Sequence, residues 1–455
     1  MTDRRQAEAD ALTLLDDLLA RAVAAGADAA DAVMVRSLSM GASWRMGKAE
    51  DIERSEGRDI GLRVLVGQRQ AVVSGTDFKA DALDELAARA VAMARISPED
   101  RFCGLADPAL LAGAVPDLDL DDGGEPDMES LLETARITEE AALAVAGVKQ
   151  SEGASASAGG GTVAIAIRGP ESRFSAAYSS SSYSVSCSVI AADAAGRMER
   201  DYDYSSVRHR TALEAPAKIG THAAERAVRR VGARKMGSAR VPVIFDPRIA
   251  SSLVGHFAGA INGQAIARGT SFLKDSMGRK VFADGITITD DPLRRRGLRS
   301  RPVDGEGVTT RTMHLVDDGV LTSWVLDSAT ALQLGLQSTG HASRGTSAPP
   351  APGTSNLYLA NGTMSPADLI ADIAQGFYVT ELIGFGVNGV TGDYSRGAAG
   401  FWIEKGEIAF PVSEMTVAGN LKDMFLNLVP ANDLEFRAAT NAPTVRVDGM
   451  TVAGA

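Results

Sequence analysis

Chemistry at a protein site needs titratable, nucleophilic or metal-binding side chains at set spacings. This chain of 455 residues is poor in metal-binding types. Its histidines are His209, His222, His256, His314 and His341, and its cysteines are Cys103 and Cys187. No two of them are spaced as a recognisable ligand pair, so composition argues mildly against a metal centre. Ser271-Phe272-Leu273-Lys274 matches S-x-x-K, but its companion motifs and G-x-S-x-G are absent. A hydrolase using Ser271 and Lys274 therefore stands only as an alternative. Gly384-Phe385-Gly386-Val387-Asn388-Gly389 matches G-x-G-x-x-G. It falls in a Gly-rich strand-and-loop region and not at a strand-to-helix turn, which argues against a dinucleotide site. Arg294-Arg295-Arg296 with Arg299 and Arg301 is the strongest basic run. Asp290, Asp291, Asp304 and Glu306 flank it, so a solvated, locally compensated loop is expected.

The stretch from Asn388 to Glu404 sets Asp393, Tyr394, Ser395 and Arg396 among Gly389, Gly392, Gly397 and Gly400. Polar side chains between glycines suggest a loop that approaches another backbone or a ligand. Physical pattern alone gives a recognition surface there and nothing sharper.

The elements that must position these residues can be read from periodicity. Leu12, Leu15, Leu18, Leu19 and Ala22 form an amphipathic helix that Gly26 should end. Val33 and Val35, then Ile60 to Val66, then Ala71 to Val73 read as short strands, and Thr76 or Asp77 as the cap of a following helix. The stretch 108–126 is loop-like, and a helix should run from about Asp127 to Ala146. Tyr183, Val185, Cys187 and Val189 alternate with Ser184, Ser186 and Ser188, as in a half-buried antiparallel strand. Cys187 then packs as a small hydrophobe. A helix is expected over Pro216–Val231. Asp246-Pro247 reads as N-cap plus N1 proline of a helix reaching about Ile261. Asp318-Gly319 should turn Met313–Val316 into Val320–Val325, and Lys405-Gly406 should turn a second hairpin. Ser365-Pro366-Ala367-Asp368 signals one more helix.

The expected fold is α+β. It has N-terminal α/β segments with a mixed sheet and a large C-terminal antiparallel β-rich domain. The expected boundaries are 1–107 and 108–235, together one N-terminal body, and 236–455. Composition excludes several functions. A net charge of -12 argues against coating nucleic acid. Two cysteines cannot make a disulfide scaffold, which fits a reducing compartment. The start MTDRRQAEAD lacks an apolar run, so no signal peptide is expected. No stretch approaches the roughly 20 apolar residues of a membrane span. A cytoplasmic protein is expected.

A family resemblance sharpens this. Glu53-Arg54-Ser55-Glu56, Gly61-Leu62-Arg63-Val64, Ser97-Pro98-Glu99-Asp100 and Ala267-Arg268-Gly269-Thr270-Ser271 begin an ordered set. It continues through 390–398, 400–404 and 411–421, the most specific parts being VTGDYSRGA, GFWIE and PVSEMTVAGNL. The chain resembles the TldD/PmbA (TldD/TldE) family, once described as modulators of DNA gyrase. The resemblance implies two branches that pair as a heterodimeric protease. One branch carries H-E-x-x-x-H on a helix before R-G-T-S, plus a Cys near the C-terminus. There His and thiolate bind zinc and the Glu is the base. Counting back from Arg268-Gly269-Thr270-Ser271, those positions hold Val254, Gly255 and Gly259. His256 lies between them, and no Cys follows Cys187. The resemblance therefore places the chain in the PmbA/TldE branch, with no catalytic or metal-binding residue and no cofactor of its own.

The resemblance implies a subunit that pairs with a TldD-like zinc metallopeptidase and acts on unfolded or small peptides, including peptide-antibiotic precursors and antitoxins. An extended peptide is expected to add along a sheet edge. Expected contacts to peptide or partner are Arg268, Thr270, Ser271, Asp393, Tyr394, Ser395, Arg396 and Glu404. Each also has a plain structural role open to it: turn capping, sheet pairing or an internal ion pair. Alone, the chain could form a homodimer. The alternative is a regulatory protein-binding module of the gyrase-modulator kind, without proteolysis.

Overall fold

The computed structural model describes residues 2–124 and 127–454. Pro126, at the end of the expected 108–126 loop, lies outside them. The N-terminal body consists of α1 (Thr2–Ala24), β1 (Ala29–Arg45), β2 (Lys48–Val66), β3 (Arg69–Gly75), α2 (Ala80–Ile96), α3 (Met128–Leu143), β4 (Val148–Arg168), β5 (Arg173–Ala192), β6 (Met198–Val207) and α4 (Pro216–Arg230). Its six strands form one sheet in the order β3-β2-β1-β4-β5-β6. Every pairing in it is antiparallel, so the mixed sheet expected here does not occur. Sequential hairpins need no parallel crossover.

The strands expected to be short are long. β1 and β2 pair from Ala29↔Leu65 out to Arg45↔Lys48, with one register shift between Ser43 and Trp44. Buried apolar residues mark mainly the first half of β1 and the last half of β2, because the ends near the 46–47 turn are largely solvated and leave little burial signal. The cap before α2 is Lys79, which makes no side-chain cap bond. Asp77 instead accepts from the Lys79 amide at 3.1 Å.

All four helices lie over one face of this sheet. Leu15, Leu18 and Leu19 of α1, with Leu86 and Val91 of α2, pack on Ala30, Ala32, Met34, Ile60, Leu62 and Ala164. At the other end, Leu131 and Ala135 of α3 pack on Met40, Ala42, Ala156 and Ala158. Ala223 and Ala227 of α4 cover Val185, Cys187 and Val189. Burial pushes the Cys187 thiol up to about 12, as fits a packed hydrophobe.

The C-terminal body opens with β7 (Ala239–Phe245), α5 (Pro247–Ala260) and α6 (Gly263–Ala267). It ends with β8 (Gln375–Ile383), β9 (Asp393–Glu404), β10 (Glu407–Asn420), α7 (Leu421–Leu426), β11 (Leu428–Pro430) and β12 (Val445–Gly454). The strand order is β10-β9-β8-β7-β12-β11, and β10 also pairs with β12. That pairing closes five strands into a barrel, which removes free edges. β7 and β8 are parallel, and the other neighbours are antiparallel. A smaller sheet gathers 288–290, 313–317, 320–321, 357–359 and 440–441. Asp318 and Gly319 both have positive φ, as a two-residue hairpin turn requires. The strand expected over Val320–Val325 stops at Leu321, because the Val325 amide turns to the Ile261 carbonyl at 3.0 Å.

The uncovered sheet face of the N-terminal body meets the C-terminal body. Asp31 and Arg63 stand opposite each other on β1 and β2, and Arg344 joins them in a buried triad. Glu306 lies close by, 2% exposed. Arg295 and Arg296 are compensated by Asp119, from the segment before α3. The flanking Asp290 is instead buried against Ser355 and His341.

Candidate functional site

The site is built on α5. Asp246 caps it, accepting from the Arg248 amide at 3.1 Å, and Pro247 supplies the first helical φ. Arg248 reaches across to Asp201 of β6 at 2.7 Å, and Tyr378 of β8 donates to Asp246 at 3.1 Å. These contacts fix where the helix starts relative to both bodies. Leu253, Val254 and Phe257 then face the core. Phe257 meets Phe282 and Phe425 edge-on, with centroids 5.2 Å and 6.3 Å apart.

The opposite face is bare. Gly255 and Gly259 are exposed, one helical turn apart, and a Cβ built at either meets no heavy atom within 4 Å. Beside them, His256 is half-buried and meets Tyr394 of β9 edge-on, centroids 6.0 Å apart. Neither the His256 Nε2 nor the Tyr394 hydroxyl has a hydrogen-bond partner among the described residues. Burial, helped by the charge of Arg396, lowers the His256 pKa below the usual imidazole range, so the ring is neutral at pH 7. Burial raises Tyr394, which keeps its proton.

The segments on either side are tied to this face. The Phe272 amide donates to the Gly389 carbonyl at 3.0 Å, joining the 268–272 segment to the 384–392 loop. Asp393 accepts from Thr391 at 2.6 Å and from Asn420 at 3.1 Å, and both bonds lower its pKa. Asn420 in turn caps α7 through the Lys422 amide.

The structure thus brings Arg268, Thr270, Asp393, Tyr394, Ser395 and Arg396 around one end of α5. Arg268, Thr270, Asp393 and Ser395 are exposed. Ser271 belongs to the same segment, but it is buried. Its hydroxyl donates to the Ala260 carbonyl at 2.5 Å and accepts from the Leu273 amide. It does not donate to Lys274, so the S-x-x-K arrangement is a turn and not a nucleophile–base pair. Glu404 lies at the far end of β9, roughly 25–35 Å from Arg396 and Asp393 at ~3.3 Å per residue. It sits at the tip turned by Lys405 and Gly406 and takes no part in the cluster. The backbone of 393–396 is occupied on both sides. It pairs with β10, and the Ser395 amide donates to the Gly386 carbonyl at 2.7 Å. No sheet edge is free there for the strand addition expected from the sequence.

The side chains at the three zinc-branch positions do not fit a metal. Val254 is 3% exposed and apolar, and two glycines offer no donor. His256 points to Tyr394, and among the described residues no three His, Cys, Asp or Glu side chains gather as a ligand set.

Two features here have no local sequence signal. The Asp201–Arg248–Asp246–Tyr378 anchor joins residues far apart in the chain, so only an unusual buried charge could have hinted at it. Phe385, in the 384–392 loop, is 100% exposed, with Ile383 and Val390 also exposed. In the sequence the glycines of this loop stand out, and its apolar residues do not.

Comparison with known proteins places this geometry. Residues 30–94, 121–231 and 238–454 match the PmbA/TldA metallopeptidase domain 1, central domain and C-terminal domain. The protein named metalloprotease PmbA from Escherichia coli O157:H7 is 38% identical over 429 residues, covering 94% of this chain and 92% of that one. The chain belongs to the PmbA/TldD family. Another member, a metalloprotease PmbA homolog from Haemophilus influenzae, is 36% identical, covering 95% and 94% of the two chains. Among solved structures, a candidate modulator of DNA gyrase from Bacteroides thetaiotaomicron superposes with a TM-score of 0.88. It is 26% identical and covers 97% of this chain and 98% of that one. The family fold thus extends over both bodies.

Proposed function

We propose that this chain is the non-catalytic, PmbA/TldE-like subunit of a heterodimeric metalloprotease that acts on unfolded or small peptides. The zinc and its base would come from a TldD-like partner. The observation that carries this is the α5 face. The family frame is intact around it, yet its two metal positions and the base position between them hold a core valine and two glycines in open space. A bare helical face bordered by exposed polar residues suits the lining of a shared peptide channel. The 384–392 loop supports the partner role. A fully exposed Phe385 beside Ile383 and Val390 is an apolar patch of the kind that a second protein covers.

The test is co-purification with the family subunit, encoded in the same genome, that carries the complete H-E-x-x-x-H motif. A stable one-to-one complex is expected. Capture of gyrase or another regulatory target, with no binding of that subunit, would favour a regulatory module instead. Without its partner, the same apolar loop would carry a homodimer.

A further inference from the structure

The helix pairs on the N-terminal sheet leave a gap between them. α1 and α2 cover β1 as far as Met34, and α3 covers it from Met40. Arg36 is exposed between the two helix pairs, and Leu38 packs at the edge of the α3 cluster. The gap is a groove of about 1320 Å³. Small-molecule pockets commonly measure ~300–1,000 Å³, so this space suits a longer ligand. It runs across the strands. Loop 119–124 closes it at the β5 end, where Arg4 of α1 bridges to Asp121 and the Gly124 carbonyl.

The floor changes character where the helices stop. Along β1, apolar Met34 gives way to Arg36. Across the sheet, Arg36 stands directly opposite Arg58 on β2 and Thr162 on β4, and Thr162 stands opposite Ser179 on β5. Like charges directly opposite on neighbouring strands repel. Neither arginine has a carboxylate within 4.0 Å among the described residues. Arg58 only stacks on Phe78, 4.7 Å from its centroid. The acidic groups nearby are engaged: Glu56 with Arg54, Asp121 with Arg4, Asp10 with Gln6, and Glu8 with Ser179. Asp59 also lines the groove, next to Arg58 in sequence. The walls add apolar surface from Leu14, Leu38 and Phe78.

We propose that this groove binds an acidic peptide segment, whose carboxylates lie between Arg36 and Arg58 and whose apolar side chains rest on Leu14 and Phe78. Two planar guanidinium groups suit carboxylates, each by paired N–H donors. The cross-strand repulsion is relieved when an anion lies between them. Two arginines bordered by Glu56, Asp59 and Asp121 match a few carboxylates better than the continuous phosphate charge of a nucleic acid. The site lies on the N-terminal body, away from α5, and does not depend on the partner role proposed above.

The test uses the full chain and fluorescein-labelled twelve-residue peptides of alternating Glu and Leu, with Gln-for-Glu and Lys-for-Glu versions. Fluorescence anisotropy should show one-to-one binding of the Glu peptide, at least tenfold tighter than the Gln peptide, weakening as salt rises. Arg36→Gln with Arg58→Gln should lose at least tenfold. Arg36→Lys with Arg58→Lys should lose part of it, because the forked geometry goes while the charge stays. Arg311→Gln, at an exposed site elsewhere, should change nothing. Thermal melts of each variant separate lost binding from lost fold. Equal affinity for Glu and Gln peptides, unchanged binding by the double Gln variant with an intact melt, or no Glu-peptide binding at millimolar concentration would overturn the proposal. So would displacement of the Glu peptide by a single-stranded oligonucleotide at lower concentration than by unlabelled peptide.

Discussion

Replacing Gly255 and Gly259 by alanine should make the protein more stable and its complex worse. Glycine inside a helix costs ~0.8–1 kcal/mol relative to alanine, because its backbone loses more freedom on folding. Gly255 lies in the middle of α5, so the full amount applies. Gly259 is the next-to-last residue, where the helix frays, so about half applies. A Cβ at either site meets nothing within 4 Å, so no packing penalty offsets the gain. The double variant should therefore be more stable by about 1.5 kcal/mol. Urea unfolding followed by tryptophan fluorescence reads this directly, since Trp324 and Trp402 lie in the core that α5 packs against. If the bare strip lines a peptide channel or a partner contact, the two added methyl groups should lower peptide cleavage by the reconstituted pair several-fold. A loss of stability would show that the strip is not open and refute the packing argument. Unchanged cleavage, with the stability gained, would show that the strip touches neither peptide nor partner.

Four further outcomes are expected from the same geometry. Phe385→Asp should leave the melting temperature unchanged and weaken the one-to-one complex at least tenfold by titration calorimetry; an unchanged Kd would remove the 384–392 loop from the interface. Burial lifts Glu306 from 4.5 to about 7, so the folded state holds its proton more tightly than the unfolded chain does. The resulting stability, on the order of 3 kcal/mol, is full below pH 4.5 and is lost progressively as pH rises from there through about 7; Glu306→Gln should flatten this fall in urea midpoints between pH 4.5 and about 7, and a parallel fall in the variant would assign it elsewhere. Ser271→Ala should cost ~1–3 kcal/mol, because the Leu273 amide loses its buried acceptor, while any cleavage by the reconstituted pair persists once the variant is folded; loss of cleavage with an intact melt would reopen the hydrolase alternative. Cys187 should resist alkylation until the protein unfolds, as mass spectrometry of labelled native protein can show; rapid native labelling would contradict its burial.

Much of the fold was legible because local rules and packing agree. The Asp246-Pro247 start of α5, the Lys405-Gly406 turn and the alternation from Tyr183 to Val189 each carry their own signal. The distal halves of β1 and β2 do not, since a solvated strand pair has no apolar stripe to read. Strand direction was also hidden. The antiparallel β1–β4 pairing and the parallel β7–β8 pair join strands far apart in the chain, so no local pattern sets their direction. At the site, the family resemblance located Val254, Gly255 and Gly259, but not the open space beside the glycines. Nor did it separate Tyr394, which faces His256, from Glu404, which the same strand carries to the far end. Ser271 looked available in sequence because nothing local shows that the Ala260 carbonyl will take its hydroxyl.

The central claim is that the peptide chemistry belongs to another chain. Its most direct test is to measure bound zinc and peptide cleavage for this chain alone, for the family subunit with the complete H-E-x-x-x-H alone, and for the two mixed. The account predicts no stoichiometric zinc and no cleavage from this chain, with full cleavage only in the mixture and lost on chelation. One zinc per chain with cleavage by this chain alone would contradict it.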